Sequence, residues 1–269
     1  MRATLRALRA AWWTVLAFAI AGFAMTALQS VAFFRMAGHT FAERAAFGYS
    51  LSLQAVANAV LLPPAIRPET VAGYLELRAL EPLAILFAAW ALVSATASTS
   101  RQTIPGAAAF AISVTIAAAA ACVGVAIGVA SGGESVGGLG VVEAGVLLVG
   151  LAISCYAICL IVARITPAAT VVAGGLLVAL FFVNSLSRVF TQQLATARWL
   201  SPFRYYDLST PLPPGGHFDV GAFAMLLAIA LLGTAVAVVV PARRVGTRPV
   251  LKGSSKPRRT TFEPSPVPL

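Results

Sequence analysis

A chain of 269 residues that is 59% hydrophobic, only 10% charged and of mean hydropathy +0.89 has too little polar side chain to cover a soluble globule of its size. Lipid is the solvent that fits this composition, and the excess of arginine over lysine, with abundant Ala, Gly and Val, points to a GC-rich bacterial genome. The formal charge of +10 raises the possibility of a nucleic-acid partner, which the placement of the charges then excludes.

Arg2, Arg6 and Arg9 open the chain on one helical face, with Leu5, Leu8 and Trp12 on the other. They predict either an amphipathic helix on the inner membrane surface or a plain topogenic cluster. The apolar run that follows, about 11–34, is too long for a cleaved signal peptide and reads as a retained anchor. Next comes a long segment, about 35–79, in which "AERAAFGYSLSLQAVANAVLLPP" keeps apolar residues at Phe47, Leu51, Val56 and Val60. It predicts a short helix, lying on the membrane surface or packed on the spans. Thr70 is placed to cap a further helix through "VAGYLELRALEPL", where Arg78 and Glu81 stand at i and i+3 and are expected to pair. Pro82 is expected to kink or start the second span, about 80–98.

The short connection "STSRQTIPG" carries Arg101 as its single charge and leads into a third run, about 105–130. Gly124 and Gly128 in that run are small enough to let another helix approach closely. "SGGES", Ser131 to Ser135, is similar to the signature loop of ATP-binding cassettes. No G-x-x-x-x-G-K-[ST] accompanies it, so it reads as a flexible turn. The fourth run, about 141–163, holds Cys155 and Cys159 at i and i+4. These and Cys122 lie in apolar sequence without His or acidic companions, as buried small residues rather than metal ligands. Glu143 and Arg164 stand at opposite ends of that run, each able to reach its own interface. The fifth run, about 167–187, contains Asn184 and Ser185, and the third contains Ser113 and Thr115; such residues usually join helices. No Asp, Glu or His falls in the middle of an expected span, which counts against ion-driven transport. A second long segment, about 188–219, precedes the sixth run, about 220–241.

The basic residues set the orientation. With the N-terminus inside, Arg2, Arg6, Arg9, Arg101, Arg164 and the tail residues Arg243, Arg244, Arg248, Lys252, Lys256, Arg258 and Arg259 share the inner side. The outer side receives Arg35, Arg44, Arg67, Arg78, Arg188, Arg198 and Arg204 with every acidic residue except Glu263. Both termini are therefore expected in the cytoplasm. The positive excess is topogenic and suited to anionic lipid, not to nucleic acid. Residues 1–245 form the expected six-span membrane domain, and 246–269 a basic, Pro- and Ser-rich disordered tail. His39 and His217 fall in separate outer segments, and neither H-E-x-x-H nor G-x-S-x-G occurs. No catalytic, metal or cofactor site is expected in this chain.

"RWLSPFRYYDLSTPLPPGGHFDVGAFAMLLAIALLGTAVAVVVPARR" resembles the C-terminal end of ABC-2-type permeases, the six-span membrane subunits of ATP-driven exporters. "TVAGYLELRALEPLAILFAAWALVSA" resembles that family's entry into its second span. The resemblance implies an all-α fold of six transmembrane helices with short re-entrant or interfacial helices before the last. It implies a cytoplasmic ATP-binding cassette subunit that holds the ATP and Mg, and a second permease forming a homo- or heterodimer. It also implies surrounding membrane lipids, and export of a lipophilic drug, antibiotic or lipid-like cargo across a bacterial plasma membrane. Trp199, Pro202, Phe203, Arg204, Tyr205, Tyr206 and Asp207 would form an outer gate, and Arg101, Arg164, Arg6 and Arg9 would meet the ATPase. Within that stretch Pro202 breaks the helix, the aromatics suit an interface, and Arg204 and Asp207 stand one turn apart, placed to pair. An aromatic belt without a transport role is the other reading of the same residues. One departure stands out: the inner loop after the second span lacks the family's acidic, Arg-containing coupling helix, which implies a reduced contact. A non-transporting membrane assembly or sensory partner, and a transporter not driven by ATP, are the alternative functions.

Overall fold

The structure, a computed structural model, describes residues 2–58, 66–97 and 103–240. Arg101, Val60 and the 246–269 tail lie outside the described residues. The described residues are almost wholly helical, and six helices are long and apolar enough to cross a membrane. This all-helical, six-span layout is the one expected from the sequence.

Helix α1 (Arg2–Ala10) runs into α2 (Trp12–Met36), the first candidate span. Helix α3 (Phe41–Ala57) starts with a capping box: the Glu43 amide donates to Thr40 Oγ1 at 3.2 Å, and the Thr40 and His39 amides donate to Glu43 Oε2. Leu51 and Ala55 of α3 are buried, so the helix packs on the bundle. Phe41, Tyr49, Leu53 and Val56 are exposed, which leaves a second apolar face outward. Val56, expected on the same stripe as Leu51, therefore belongs to the outer face.

The second span begins earlier than expected because Thr70 caps it: its hydroxyl accepts the Gly73 amide at 3.1 Å. Helix α4 (Val71–Leu75) continues through a π-helical turn, Glu76–Leu80, into α5 (Glu81–Ala97), giving a candidate span Val71–Ala97. Pro82 explains the irregularity. It has no N–H for the Arg78 carbonyl, and a π turn absorbs the break without ending the helix.

Helices α6 (Thr103–Ser131), α7 (Gly138–Ile165) and α8 (Ala169–Leu186) follow, and a 3₁₀ turn, Ala197–Leu200, leads to the short α9 (Pro202–Asp207). Asp219 caps α10 (Val220–Val239) by accepting the Ala222 amide at 2.9 Å. The turn before α10 is pinned by a bridge between Thr210 and His217, with Gly215 at φ +79°.

Packing follows the small residues. Helices α2 and α6 lie against each other through Gly22, Gly124 and Gly128, and Thr26 Oγ1 donates to the Ala121 carbonyl at 2.9 Å across the contact. A Cβ on Gly124 would collide with Thr26 Oγ1 and stand 2.5 Å from the Phe23 carbonyl oxygen. Helix α7 occupies the centre, touching α5, α6, α8 and α10. Ser154 Oγ joins it to α10 by donating to the Leu226 carbonyl at 2.7 Å. Cys155 and Cys159 are buried and unpaired within α7, and Cys122 is also a free thiol. At the end of the bundle remote from the N-terminus, "SGGES" forms the turn between α6 and α7. Its Glu134 pairs with Arg44 of α3.

Candidate functional site

At that same remote end, α9 is set into the bundle. Ser201 caps it by accepting the Phe203 amide at 3.2 Å, and Pro202 stands at its first turn, where a missing N–H costs nothing. Pro202, Phe203, Tyr205 and Tyr206 are buried, with Phe203 edge-on to Phe181 of α8 at 5.4 Å. Tyr205 Oη donates to the Trp199 carbonyl at 2.8 Å, and Tyr206 Oη reaches the Leu80 carbonyl at 3.5 Å. Of the aromatics expected at a membrane interface, only Trp199, 43% exposed, has the exposure of a belt residue. The others are core.

The expected Arg204–Asp207 pair is not formed. Asp207 turns inward, where Asn184 Nδ2 donates to Oδ2 at 2.7 Å and Arg188 Nη2 pairs with the same oxygen. Asp207 pairs with Arg188 across the helix gap, where the two side chains are only 10% and 14% exposed and each offsets the other's desolvation. Arg204 instead lies 5.2 Å over the Trp199 ring, and Arg198 lies 5.5 Å from the same ring, so one indole serves two cations. Burial, and then the neighbouring Arg198, lower the Arg204 pKa from its ordinary value.

The expected Arg78–Glu81 pair is also absent. Arg78 Nη2 donates to Gln54 Oε1 of α3 at 2.7 Å. The π turn is the reason. In an α-helix, residues five apart lie about 140° apart around the axis. Here the Glu81 amide bonds the Glu76 carbonyl, an i→i+5 closure that brings Glu76 and Glu81 toward one side. That side faces α9: Glu81 lies within electrostatic range of Asp207, Arg188 and Glu76, and the Leu212 amide faces Glu76. Burial and the facing carboxylates of Glu81, Glu76 and Asp207 push the Tyr206 phenol well above its usual range, so it remains a neutral O–H.

The arrangement thus gathers three carboxylates, Glu76, Glu81 and Asp207, around one guanidinium, Arg188, with Asn184 and Tyr206 as neutral partners. Glu76 Oε2, Asn184 Oδ1 and Arg188 Nη1 are buried without a hydrogen-bond partner. Ionised together, the carboxylates would outnumber Arg188, the one guanidinium paired with them, and Arg204, a second cation in electrostatic range of Asp207; each uncompensated buried ion costs on the order of several kcal/mol. Among the described residues no three His, Cys, Asp or Glu side chains converge to hold a metal ion. The chemistry open to this cluster is proton exchange and rearrangement of ion pairs.

Sequence reasoning placed Asp207 in the site but missed Glu76, Glu81, Asn184 and Arg188 as its companions. The signal that could have found them is "ELRALEP": two glutamates five apart, directly before a proline. The expected start of the second span, about residue 80, is corrected by the same finding. The second helix begins at Val71, so Glu76 and Glu81 lie inside the candidate span, near its start.

At the other end of the bundle, Arg6 and Arg9 on α1 are exposed. Arg164, expected to reach an interface, is only 7% exposed, although its neighbour Ile165 in the last turn of α7 is 52% exposed. Arg6 and Arg9 are near the mouth of a separate cavity, while the α9 cluster occupies the opposite end. Comparison with protein-family models, with curated proteins and with solved structures finds no match to this chain.

Proposed function

We propose that the chain is the membrane subunit of an exporter built on the ABC-2 plan, in a bacterial plasma membrane with both termini cytoplasmic. Two permeases, alike or related, would bind two cytoplasmic ATPase subunits that carry the ATP and Mg. Hydrolysis there would switch the spans between inward-open and outward-open arrangements, carrying a lipophilic cargo outward. The observation that supports this reading best is α9 itself. It is a proline-started helix before the last span, docked through Phe203, Tyr206 and Asp207 onto the two spans that hold Leu80, Phe181 and Asn184. Such a plug closes the outer end at rest and opens when those spans separate, since its anchors lie on different helices. Trp199, Pro202, Arg204 and Tyr205 hold its shape. Arg6, Arg9 and Arg101 are the cytoplasmic contacts, with Arg164 acting from inside the bundle.

The test is isolation of the chain from its native membrane in mild detergent. A P-loop protein should accompany it, ATP hydrolysis should require both, and Arg101→Glu should uncouple hydrolysis from export. Purification without any nucleotide-binding partner would overturn the reading and favour a non-transporting assembly partner.

A second reading has one specific observation behind it. Three buried carboxylates against one guanidinium suit a carrier driven by protons. It predicts cargo movement under an imposed pH gradient without ATP, abolished by Glu81→Gln. If movement requires ATP and persists in Glu81→Gln, that reading fails.

A further inference from the structure

Between α8 and α9 two arginines share one indole. The guanidinium carbons of Arg198 and Arg204 lie 5.5 and 5.2 Å from the centre of the Trp199 ring. Stacking on an aromatic fixes the plane of a guanidinium and leaves its edge, where the N–H donors are, free for an oxyanion. Among the described residues neither side chain makes a hydrogen bond or an ion pair, and the Nε of each is buried without a partner. Both residues are half-buried, so the terminal Nη groups are what remains open. The two cations also repel: after burial, the charge of Arg198 is what most lowers the Arg204 pKa from its ordinary value. Asp207, the carboxylate in electrostatic range of Arg204, is already held by Arg188 and Asn184. Outside the described residues the one acidic residue is Glu263, in the tail after α10. The surroundings of the patch are apolar and face outward: Val189, Phe190 and Leu200 are exposed, as is Trp199. Cations, an indole and exposed apolar side chains side by side match the layers of a bilayer surface, with phosphates, interface and acyl chains in that order.

We infer that Arg198, Trp199 and Arg204 form a binding site for an anionic phospholipid, its phosphate on the two guanidinia and its acyl chains along Phe190 and Leu200. A phosphate oxygen can take donors from both arginines, and its charge relieves the repulsion between them. A zwitterionic lipid carries an ammonium beside its phosphate and relieves less of it, so the site selects net negative charge. A soluble phosphate would gain the same hydrogen bonds but not the burial of Phe190 and Leu200 against hydrocarbon. The site belongs to the chain alone and requires neither an ATPase nor transport.

The test replaces the exposed Leu200 of the full chain with the photo-crosslinker p-benzoylphenylalanine, in nanodiscs of phosphatidylcholine containing about one-tenth phosphatidylglycerol, and identifies by mass the lipids joined to the protein. Phosphatidylglycerol should be enriched roughly threefold or more over its bulk share, the order expected when two arginines meet anionic headgroups. The same crosslinker in place of Leu231, an exposed position within α10, should report the bulk share. Arg198→Gln combined with Arg204→Gln should return the adducts at position 200 to the bulk share. Arg198→Gln alone, which leaves α9 untouched, should give an intermediate share. Arg6→Gln combined with Arg9→Gln, at the opposite end of the bundle, should leave the enrichment unchanged. Helical circular dichroism of each variant keeps a folding defect distinct from a lost site. Millimolar glycerol 3-phosphate should not displace the lipid. Adducts at the bulk share with both arginines present, or enrichment that survives the folded double variant, would overturn the site. Loss of the enrichment to glycerol 3-phosphate would overturn the lipid as its occupant.

Discussion

Charge balance around Arg188 makes an asymmetric prediction. Arg188 and Asp207 have side chains only 14% and 10% exposed, so removing either leaves its partner in a poorly solvated place. Breaking a buried ion pair from one side typically costs about 3–5 kcal/mol. The two sides are not equivalent here. Asp207→Asn keeps the shape and the approach of Asn184, and leaves Arg188 beside Glu81, whose carboxyl can give up its proton to supply the missing negative charge. The cost should fall to about 2 kcal/mol, below the usual range for a broken pair. Arg188→Met leaves Asp207 without its ion-pair partner and Glu81 without the guanidinium beside it, and should cost about 4 kcal/mol, toward the upper part of that range. In the double variant the penalties should not add, with a coupling of about 2 kcal/mol, well above the roughly 0.5 kcal/mol scatter of independent sites. Unfolding of purified protein in mixed micelles titrated with SDS, followed by circular dichroism, reads all three values. If Asp207→Asn costs as much as Arg188→Met, or if the two add, Glu81 does not stand in for Asp207 beside Arg188.

Gly124→Val should destabilise by about 2 kcal/mol in the same titration, because its side chain meets the Phe23 carbonyl oxygen and Thr26 with no room to move; a neutral result would mean that α2 and α6 are farther apart. Ser154→Ala should cost about 0.6–1.7 kcal/mol, as expected for an interhelical hydroxyl bond, here the one to Leu226. Tyr206→Phe should change stability by less than about 0.5 kcal/mol, since an O–H bond at 3.5 Å is at the limit of a real one. In α3, the hydrogen bonds from Thr40 and the His39 amide hold the Glu43 carboxyl below its ordinary value of 4.5. The stabilisation is therefore complete above that value and is lost as pH falls through the lower folded one. Amide exchange in the first turn of α3 should quicken over that acid range in the wild type, and Thr40→Ala should flatten the dependence.

The spans were legible because length and apolar content alone define them in lipid. Their ends agree with the expected limits to within a few residues, except at Val71, where Thr70 had already marked a start but the run had been counted only from 80. Gly124 and Gly128 were legible as contact positions because close approach needs small residues wherever it occurs. The pairing of α2 with α6 was not legible. In lipid both faces of a span are apolar, so the sequence carries no amphipathic stripe to say which face turns inward. The carboxylate cluster escaped for a different reason. Helical spacing puts Glu76 and Glu81 on different faces, and only a π turn, forced near Pro82, brings them together. Local spacing also misassigned Arg78, Arg204 and Asp207, since i, i+3 pairs are worth a few tenths of a kcal/mol and yield to partners on other elements, Gln54 for Arg78, the Trp199 ring for Arg204 and Arg188 for Asp207.

The proposed function requires α9 to close the exterior end of a bundle whose N-terminus lies in the cytoplasm. Cysteine substitution tests this directly with a membrane-impermeant maleimide on intact cells, the native Cys155 and Cys159 being buried. Leu200→Cys, an exposed position beside α9, should label from outside, and Arg6→Cys should label only after the membrane is permeabilised. Labelling of Arg6→Cys in intact cells, with Leu200→Cys protected until permeabilisation, would invert the protein and remove both the outer gate and the cytoplasmic docking face.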